Sequence, residues 1–240
     1  MKFACSLVPG TLIRRYKRFL ADVELANGMV VTAHCANPGA MLGLNMPGLK
    51  VWLEPNDDPR RKLKFTWRLV EVEGVVIGID TSMPNKIIGH AIRGGIIPEL
   101  KGYSTIQPEQ RYSKNSRVDF LLQDDGKPDC FVEVKNCHLL RTPGLAEFPD
   151  SVTERGARHL HDLGNEVERG NRAVMVFCIQ RSDCEQFTLA GDIDPAYLKA
   201  YRRALARGVE VLAYRCTLDT TRIRLERAVS IVDASARIEL

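Results

Sequence analysis

Past the midpoint of a 240-residue chain stands the stretch SRVDFLLQDDGKPDCFVEVKNC, in which acids and a lysine interrupt apolar sequence. A charged group on a half-buried strand is costly unless it is paired, solvated or bound to a metal. The turn lies near Gly126, and Asp119 and Glu133 are equidistant from it, which predicts that they face each other across an antiparallel hairpin. Lys135 shares the face of Glu133. Opposed carboxylates repel on a sheet, and a divalent cation between them relieves the repulsion. Oxygen ligands select Mg²⁺ or Mn²⁺, with waters and a substrate phosphate completing the shell. Such a cation neutralises phosphate and acidifies a bound water, while a nearby lysine orients that water or stabilises developing charge. The chemistry indicated is phosphodiester hydrolysis. A Glu-x-Lys pattern also decorates ordinary hairpins with one wet face, so the surrounding elements have to decide.

Two differently written halves surround this stretch. Residues 1–82 read as a small β-barrel domain. RFLADVEL alternates with a period of two, Asn27-Gly28 supplies a hairpin turn, and MVVTAHC, LKVWLEP and KFTWRLVEVEGVVIGI add further strands. Five or so short strands in that length predict an OB-like barrel. Trp52, Trp67 and Tyr16 lie in it among Arg15, Lys50 and Arg68. Aromatics among cations suit a nucleic-acid surface, where bases stack and phosphates pair; equally, tryptophans plug barrel interiors.

Residues 83–225 read as an α/β domain with a mixed central sheet, and residues 226–240 as a tail without a signal. NKIIGHAIRGGIIPEL predicts one or two short helices. DSVTERGARHLHDLGNEV predicts a helix with a Ser151/Glu154 capping box and an Ala157, Leu160, Leu163, Val167 stripe. RAVMVFCIQ reads as a strand covered on both faces, Asp194-Pro195 opens another helix that Gly208 closes, and VEVLAY is the next strand. Strand, helix and strand in that order predict a parallel crossover. Arg155, Arg158 and His159 begin a helix whose N-terminus favours anions, although a wet helix face pairing with Asp162 explains them as well. Gln180 and Arg181 end the buried strand, at the sheet edge where α/β folds bind ligands. Ser116 and Arg117 enter the hairpin within reach of a phosphate. The remaining histidines show no ligand spacing and are assigned to packing or surface.

The bulk numbers constrain the setting. A net charge of +4 permits a nucleic-acid partner without requiring one, and its excess concentrates in RRYKRF and RRKLKFTWR. Seven scattered cysteines without a CxxC pair argue against a structural zinc site and for a reducing compartment. No apolar run is long enough for a membrane span, and Pro9-Gly10 interrupts any secretory leader. A cytoplasmic location is expected.

The order of helix, hairpin with Asp119 and Glu133-x-Lys135, helix and buried strand resembles the PD-(D/E)XK nuclease core, with Arg117-Val118 standing before the aspartate instead of proline. Beyond the core, NPGAML, SRVDFLL, FVEVKNC, FPDSVTERGARHL and IQRSD together resemble the sugar fermentation stimulation protein family, SfsA. The resemblance implies an N-terminal OB-like domain and a C-terminal nuclease-like domain. It also implies DNA binding largely without sequence preference, and a regulatory link to sugar (maltose) metabolism. Carried over, it makes Asp119 and Glu133 metal ligands, the Val134 carbonyl a third ligand, and Lys135 the catalytic lysine. Glu99, in IIPEL, is the glutamate such nucleases draw from the preceding helix, with Glu109 as its competitor. Arg15, Trp52, Arg68, Arg117, Arg155, Arg158, His159, Gln180 and Arg181 form the expected nucleic-acid surface. The alternatives are an active Mg²⁺- or Mn²⁺-dependent phosphodiesterase, a DNA-binding clamp with little turnover, and an RNA-binding factor. DNA strandedness and oligomeric state, a dimer included, stay open.

Overall fold

The computed structural model describes residues 1–112 and 117–233, so Ser116 lies outside the described residues. The barrel consists of β1 (Val8–Tyr16), β2 (Leu20–Leu25), β3 (Val30–Cys35), β4 (Lys50–Pro55) and β5 (Phe65–Val72), with β6 (Val75–Gly78) continuing from β5 as a hairpin. Neighbours run in the order β3-β2-β1-β4-β5-β6, and a short parallel pairing of His34 with Thr66 and Cys35 with Trp67 closes the ring. Closure leaves the inward set Leu12, Val23, Leu53, Trp67 and Ile77 without solvent contact. Trp67 is the plug. Its indole N–H donates to the Leu69 carbonyl at 2.9 Å, so the one polar atom of the ring is satisfied inside the barrel.

The second half opens with α1 (Met83–Arg93) and a 3₁₀ turn at Pro98–Leu100. Then come β7 (Thr105–Arg111), β8 (Arg117–Gln123), β9 (Cys130–Cys137), β10 (Leu139–Thr142) and β11 (Gly144–Phe148). They are followed by α2 (Glu154–Glu168), β12 (Arg172–Ile179), β13 (Cys184–Leu189), α3 (Pro195–Ala206), β14 (Glu210–Leu218), β15 (Ile223–Ala228) and β16 (Ser230–Ile231). The main sheet has the order β15-β14-β12-β9-β8-β7, parallel at β9-β12-β14 and antiparallel toward both edges. A small sheet, β10-β11-β13-β16, lies beside it. The apolar core on one face unites Ile88 of α1 with Val132, Val134 and Val176; that on the other unites Leu160 and Leu163 of α2 with Phe131, Met175 and Phe177. Covering on both faces is why β12 reads as an unbroken apolar run. No helix among the described residues is long and apolar enough to cross a membrane.

Three expectations are corrected. The cap of α2 is Thr153, whose hydroxyl accepts the Gly156 N–H at 3.1 Å, instead of Ser151; Glu154 is then the first helical residue. The expected tail carries structure as far as Ile231, because β15 runs past residue 225 and β16 pairs with β13. The first residues leave the barrel altogether: Lys2 bridges Arg222, the Phe3 N–H donates to Thr221 at 3.1 Å, and Met1, Phe3 and Leu7 pack on the core under α1.

Candidate metal centre

The β8-β9 hairpin has the register read from its turn, Phe120 opposite Val132 and Leu122 opposite Cys130. Continued one step, that ladder brings Asp119 to Glu133. Regular pairing ends at Phe120, which frees the Val134 N–H, and Asp119 Oδ2 accepts it at 2.7 Å. Val118 and Phe120 pack into the two different cores, so the in-out alternation breaks at Asp119 and its carboxylate reaches the strand end. Asn85, in the first turn of α1, donates to Asp119 Oδ1 at 2.6 Å. Burial, and next the charge of Glu133, pushes the Asp119 carboxyl up to about 6.

Glu133 is buried, at 3% exposure. Its Oε1 accepts from Lys135 Nζ at 2.7 Å and contacts His159 Nδ1. Arg155 Nε donates to His159 Nε2 at 3.2 Å, so on a neutral ring the proton stands on Nδ1 and points at Glu133. Burial would raise the Glu133 carboxyl, yet the Lys135 charge and the His159 contact hold it below the usual range. Its second oxygen, Oε2, is buried with no hydrogen-bond partner. A buried carboxylate oxygen without a donor is an unmet demand for positive charge.

These groups line a cleft of about 900 Å³ with Arg111, Arg117, Arg155 and Arg158 on its walls. Glu109 is there too. It falls in the β7-β8 register between Pro108, opposite Phe120, and Gln110, opposite Val118, which places it level with Asp119. Glu109, Asp119 and Glu133 thus occupy one row across three strands, and Glu109 holds a left-handed φ of 56°, an uncommon conformation for a glutamate in a strand. Among the described residues no three acidic, histidine or cysteine side chains converge as a finished cage. Two carboxylates, the Val134 carbonyl and waters suit Mg²⁺, which keeps part of its hydration shell.

The structure departs from several expected site residues. Glu99 lies elsewhere: its carboxylate accepts the Tyr214 hydroxyl at 2.7 Å and its carbonyl accepts Arg172 Nη1 at 2.7 Å. The cleft meets the start of α1, at Asn85, and Glu99 follows the helix end, roughly 12 Å of helix rise away. Glu109, its competitor, takes the cleft position from strand β7. Trp52 is 5% exposed and belongs to the core under α1 with Met83 and Ile87, and Lys50 Nζ lies over its ring at 4.9 Å from the centroid, so it offers no open face for base stacking. Arg68 is held by Glu54 and Asp80, and Arg15 donates to the carbonyls of Asn37 at 2.8 Å and Gly39 at 2.9 Å. Gln180 Nε2 donates to Asn136 Oδ1 at 2.6 Å and to the Asp80 carbonyl at 3.0 Å, while Arg181 holds Asp183 and the His138 carbonyl. All four are fastenings of the fold. Arg117, Arg155, Arg158 and His159 do line the cleft. Asn85, Arg111 and Thr81 line it without having been singled out in the sequence, where a lone polar residue at a helix start or an arginine at a strand end carries no distinguishing signal.

Residues 13–79 match the SfsA N-terminal OB domain, and residues 82–222 match the sugar fermentation stimulation protein RE domain. A sugar fermentation stimulation protein homolog of Maricaulis maris is 52% identical over 231 residues, covering 96% of this chain and 98% of that protein. One from Ruegeria pomeroyi is 58% identical over 213 residues, covering 88% and 93%. The solved structure of Pyrococcus furiosus SfsA in complex with Ca²⁺ superposes with a TM-score of 0.87 at 27% identity, over 97% of this chain and 98% of that one.

Proposed function

The chain belongs to the sugar fermentation stimulation protein family, and from that premise we propose that it binds DNA with little regard to sequence and hydrolyses phosphodiester bonds with Mg²⁺ or Mn²⁺ held at Asp119 and Glu133. The observation that carries this reading is Glu133 Oε2, buried without a donor beside a second carboxylate. The Ca²⁺ complex of the Pyrococcus furiosus relative supports it, since hard divalent cations share oxygen ligands.

Asp119, Glu133 and the Val134 carbonyl would hold the cation, with Glu109 the nearest further acid. When bound, it neutralises a phosphate oxygen and lowers the pKa of a water. Asn85 and the Val134 N–H fix the Asp119 carboxylate, and His159 fixes that of Glu133, so both are aimed before metal arrives. Lys135 places its ammonium 2.7 Å from Glu133, where it donates to a non-bridging phosphate oxygen and orients the attacking water. Arg111, Arg117, Arg155 and Arg158 draw the polyanion in, which makes affinity fall steeply with salt.

The test compares labelled DNA incubated with Mg²⁺, Mn²⁺ or EDTA for the wild type, Asp119→Asn and Lys135→Ala. Metal-dependent cutting by the wild type, reduced at least about a hundredfold in both variants with binding retained, is the expected result. Salt-sensitive binding with no cutting under either metal would sink the hydrolytic half and leave a DNA clamp.

A further inference from the structure

Three of the stretches that carry the family resemblance, NPGAML, FVEVKNC and FPDSVTERGARHL, have residues outside the metal cleft, and the fold brings them together. They line a second cavity, of about 610 Å³, at the seam between barrel and α/β domain. Its walls include Pro38 and Gly39 of the barrel loop, Asn136 and His138 following Lys135, and Asp150 and Val152 before α2. Thr81 lines both cavities, and Lys135 and Asn136, adjacent in β9, line one each. The two clefts therefore meet at the end of β9.

Part of this wall is a fastening. Asn37 Nδ2 donates to the Ile79 carbonyl at 2.7 Å, Asp150 Oδ2 accepts the Met41 N–H at 2.9 Å, and a Cβ on Gly39 would stand 2.5 Å from the Asp150 carboxylate oxygens. Asn136 is fastened as well, its Oδ1 accepting from Gln180 and its amide nitrogen lying 2.8 Å from His138 Nδ1, which leaves His138 Nε2 as the buried side-chain atom of this wall without a hydrogen-bond partner. His138 is 4% exposed, and its Nε2 lies 3.3 Å from Asp150 Oδ2, off the line of a hydrogen bond and without another partner. Val152 is 69% exposed at the rim.

The chemistry of the two clefts differs. The metal cleft carries five cations against three acids and suits a phosphate chain. In the seam cleft the guanidinium of Arg15 is spent on backbone carbonyls, leaving Arg18 as the remaining cation beside one acid, Asp150. Proline rings, Phe148 and Val152 supply apolar walls, and the unpartnered His138 Nε2 supplies the polar contact. A nucleobase has this pattern: apolar faces and a polar edge.

We propose that the seam cleft receives an unpaired base of the DNA strand whose backbone lies in the metal cleft, which makes single-stranded DNA, or a duplex with an extruded base, the preferred substrate. The proposal rests on the nucleic-acid reading of the metal cleft.

The test uses the full chain with Ca²⁺, reading fluorescence anisotropy on labelled oligo(dT), its duplex with oligo(dA), and an abasic strand of equal length. The wild type should bind oligo(dT) roughly tenfold or more tighter than either of the others. Val152→Trp, a surface change that fills the mouth of the cleft, should bring the three affinities close together. Val30→Trp, an equally bulky change on the exposed barrel strand β3 away from both clefts, should leave the preference for oligo(dT) over the abasic strand in place. Equal wild-type binding to oligo(dT) and the abasic strand would overturn the base site and leave the metal-cleft reading standing. Failure to bind any of the three overturns both.

Discussion

Two hydrogen bonds separate a prepared carboxylate from a merely buried one at Asp119. Asn85 donates to Oδ1 and the Val134 N–H to Oδ2, and both oppose the upward push of burial and of Glu133. Asn85→Ala removes one of the two donors without touching a proposed ligand. Mn²⁺ affinity, measured by isothermal titration calorimetry, should weaken about 10–100-fold while the far-UV circular dichroism stays as in the wild type. Unchanged affinity would show that the backbone N–H alone orients the carboxylate. The acid pair was legible in the sequence because hairpin pairing is arithmetic: equal counts from Gly126 put Asp119 and Glu133 together whatever the rest of the chain does. Glu99 and Glu109 were not separable that way. Which glutamate reaches the cleft depends on how α1 lies across the sheet and on a register with β7, and neither is written in local spacing. The same holds for Trp52: an aromatic beside a lysine reads alike whether its ring meets a base or the side of a helix.

Among the elements, α2 and α3 start from a shared residue. Asp194 Oδ1 accepts the Tyr197 N–H at 2.9 Å and caps α3, while Oδ2 accepts the Thr153 N–H at 2.8 Å, just before α2. Asp194 is 3% exposed, so water cannot replace it. Asp194→Ala should therefore cost about 2–3 kcal/mol in urea unfolding, more than the roughly 1 kcal/mol of a single cap, since it strands the buried Tyr197 N–H and the half-buried Thr153 N–H together. A cost no larger than that of Thr153→Ala would show that only one of the two bonds matters. The α3 start was readable because Asp-Pro is a strong opening signal. The α2 start misled: Ser151 and Thr153 both precede a helical pattern, and the choice between them rests on where the chain leaves β11. Strand β16, two residues long and paired among the described residues with β13, has too little sequence to announce itself.

Across the whole molecule the barrel and the α/β domain are joined through a carboxylate. Burial raises Asp150, but His138, the Met41 N–H and Ser151 bring it below its ordinary range. A carboxyl depressed in the folded state stabilises above its unfolded pKa, near 4, and that contribution fades as pH falls through the folded value. Asp150→Asn should lower stability near neutrality by about 1–2 kcal/mol and flatten the acid limb of a stability-pH profile below about pH 4. Parallel profiles for the two proteins would exclude Asp150 as the source of that acid sensitivity. The barrel itself was legible as strands and turns, but its attachment was not, because Trp52 and Leu69 serve the neighbouring core and carry no mark of it. The bridge from Lys2 to Arg222 adds a last point. The chain sets out on the α/β domain, travels through the barrel and comes back at α1, so the barrel is an excursion with two roots. A single proteolytic nick between the barrel and α1 would leave the barrel tethered through residues 1–7, so both roots have to be cut before it comes away.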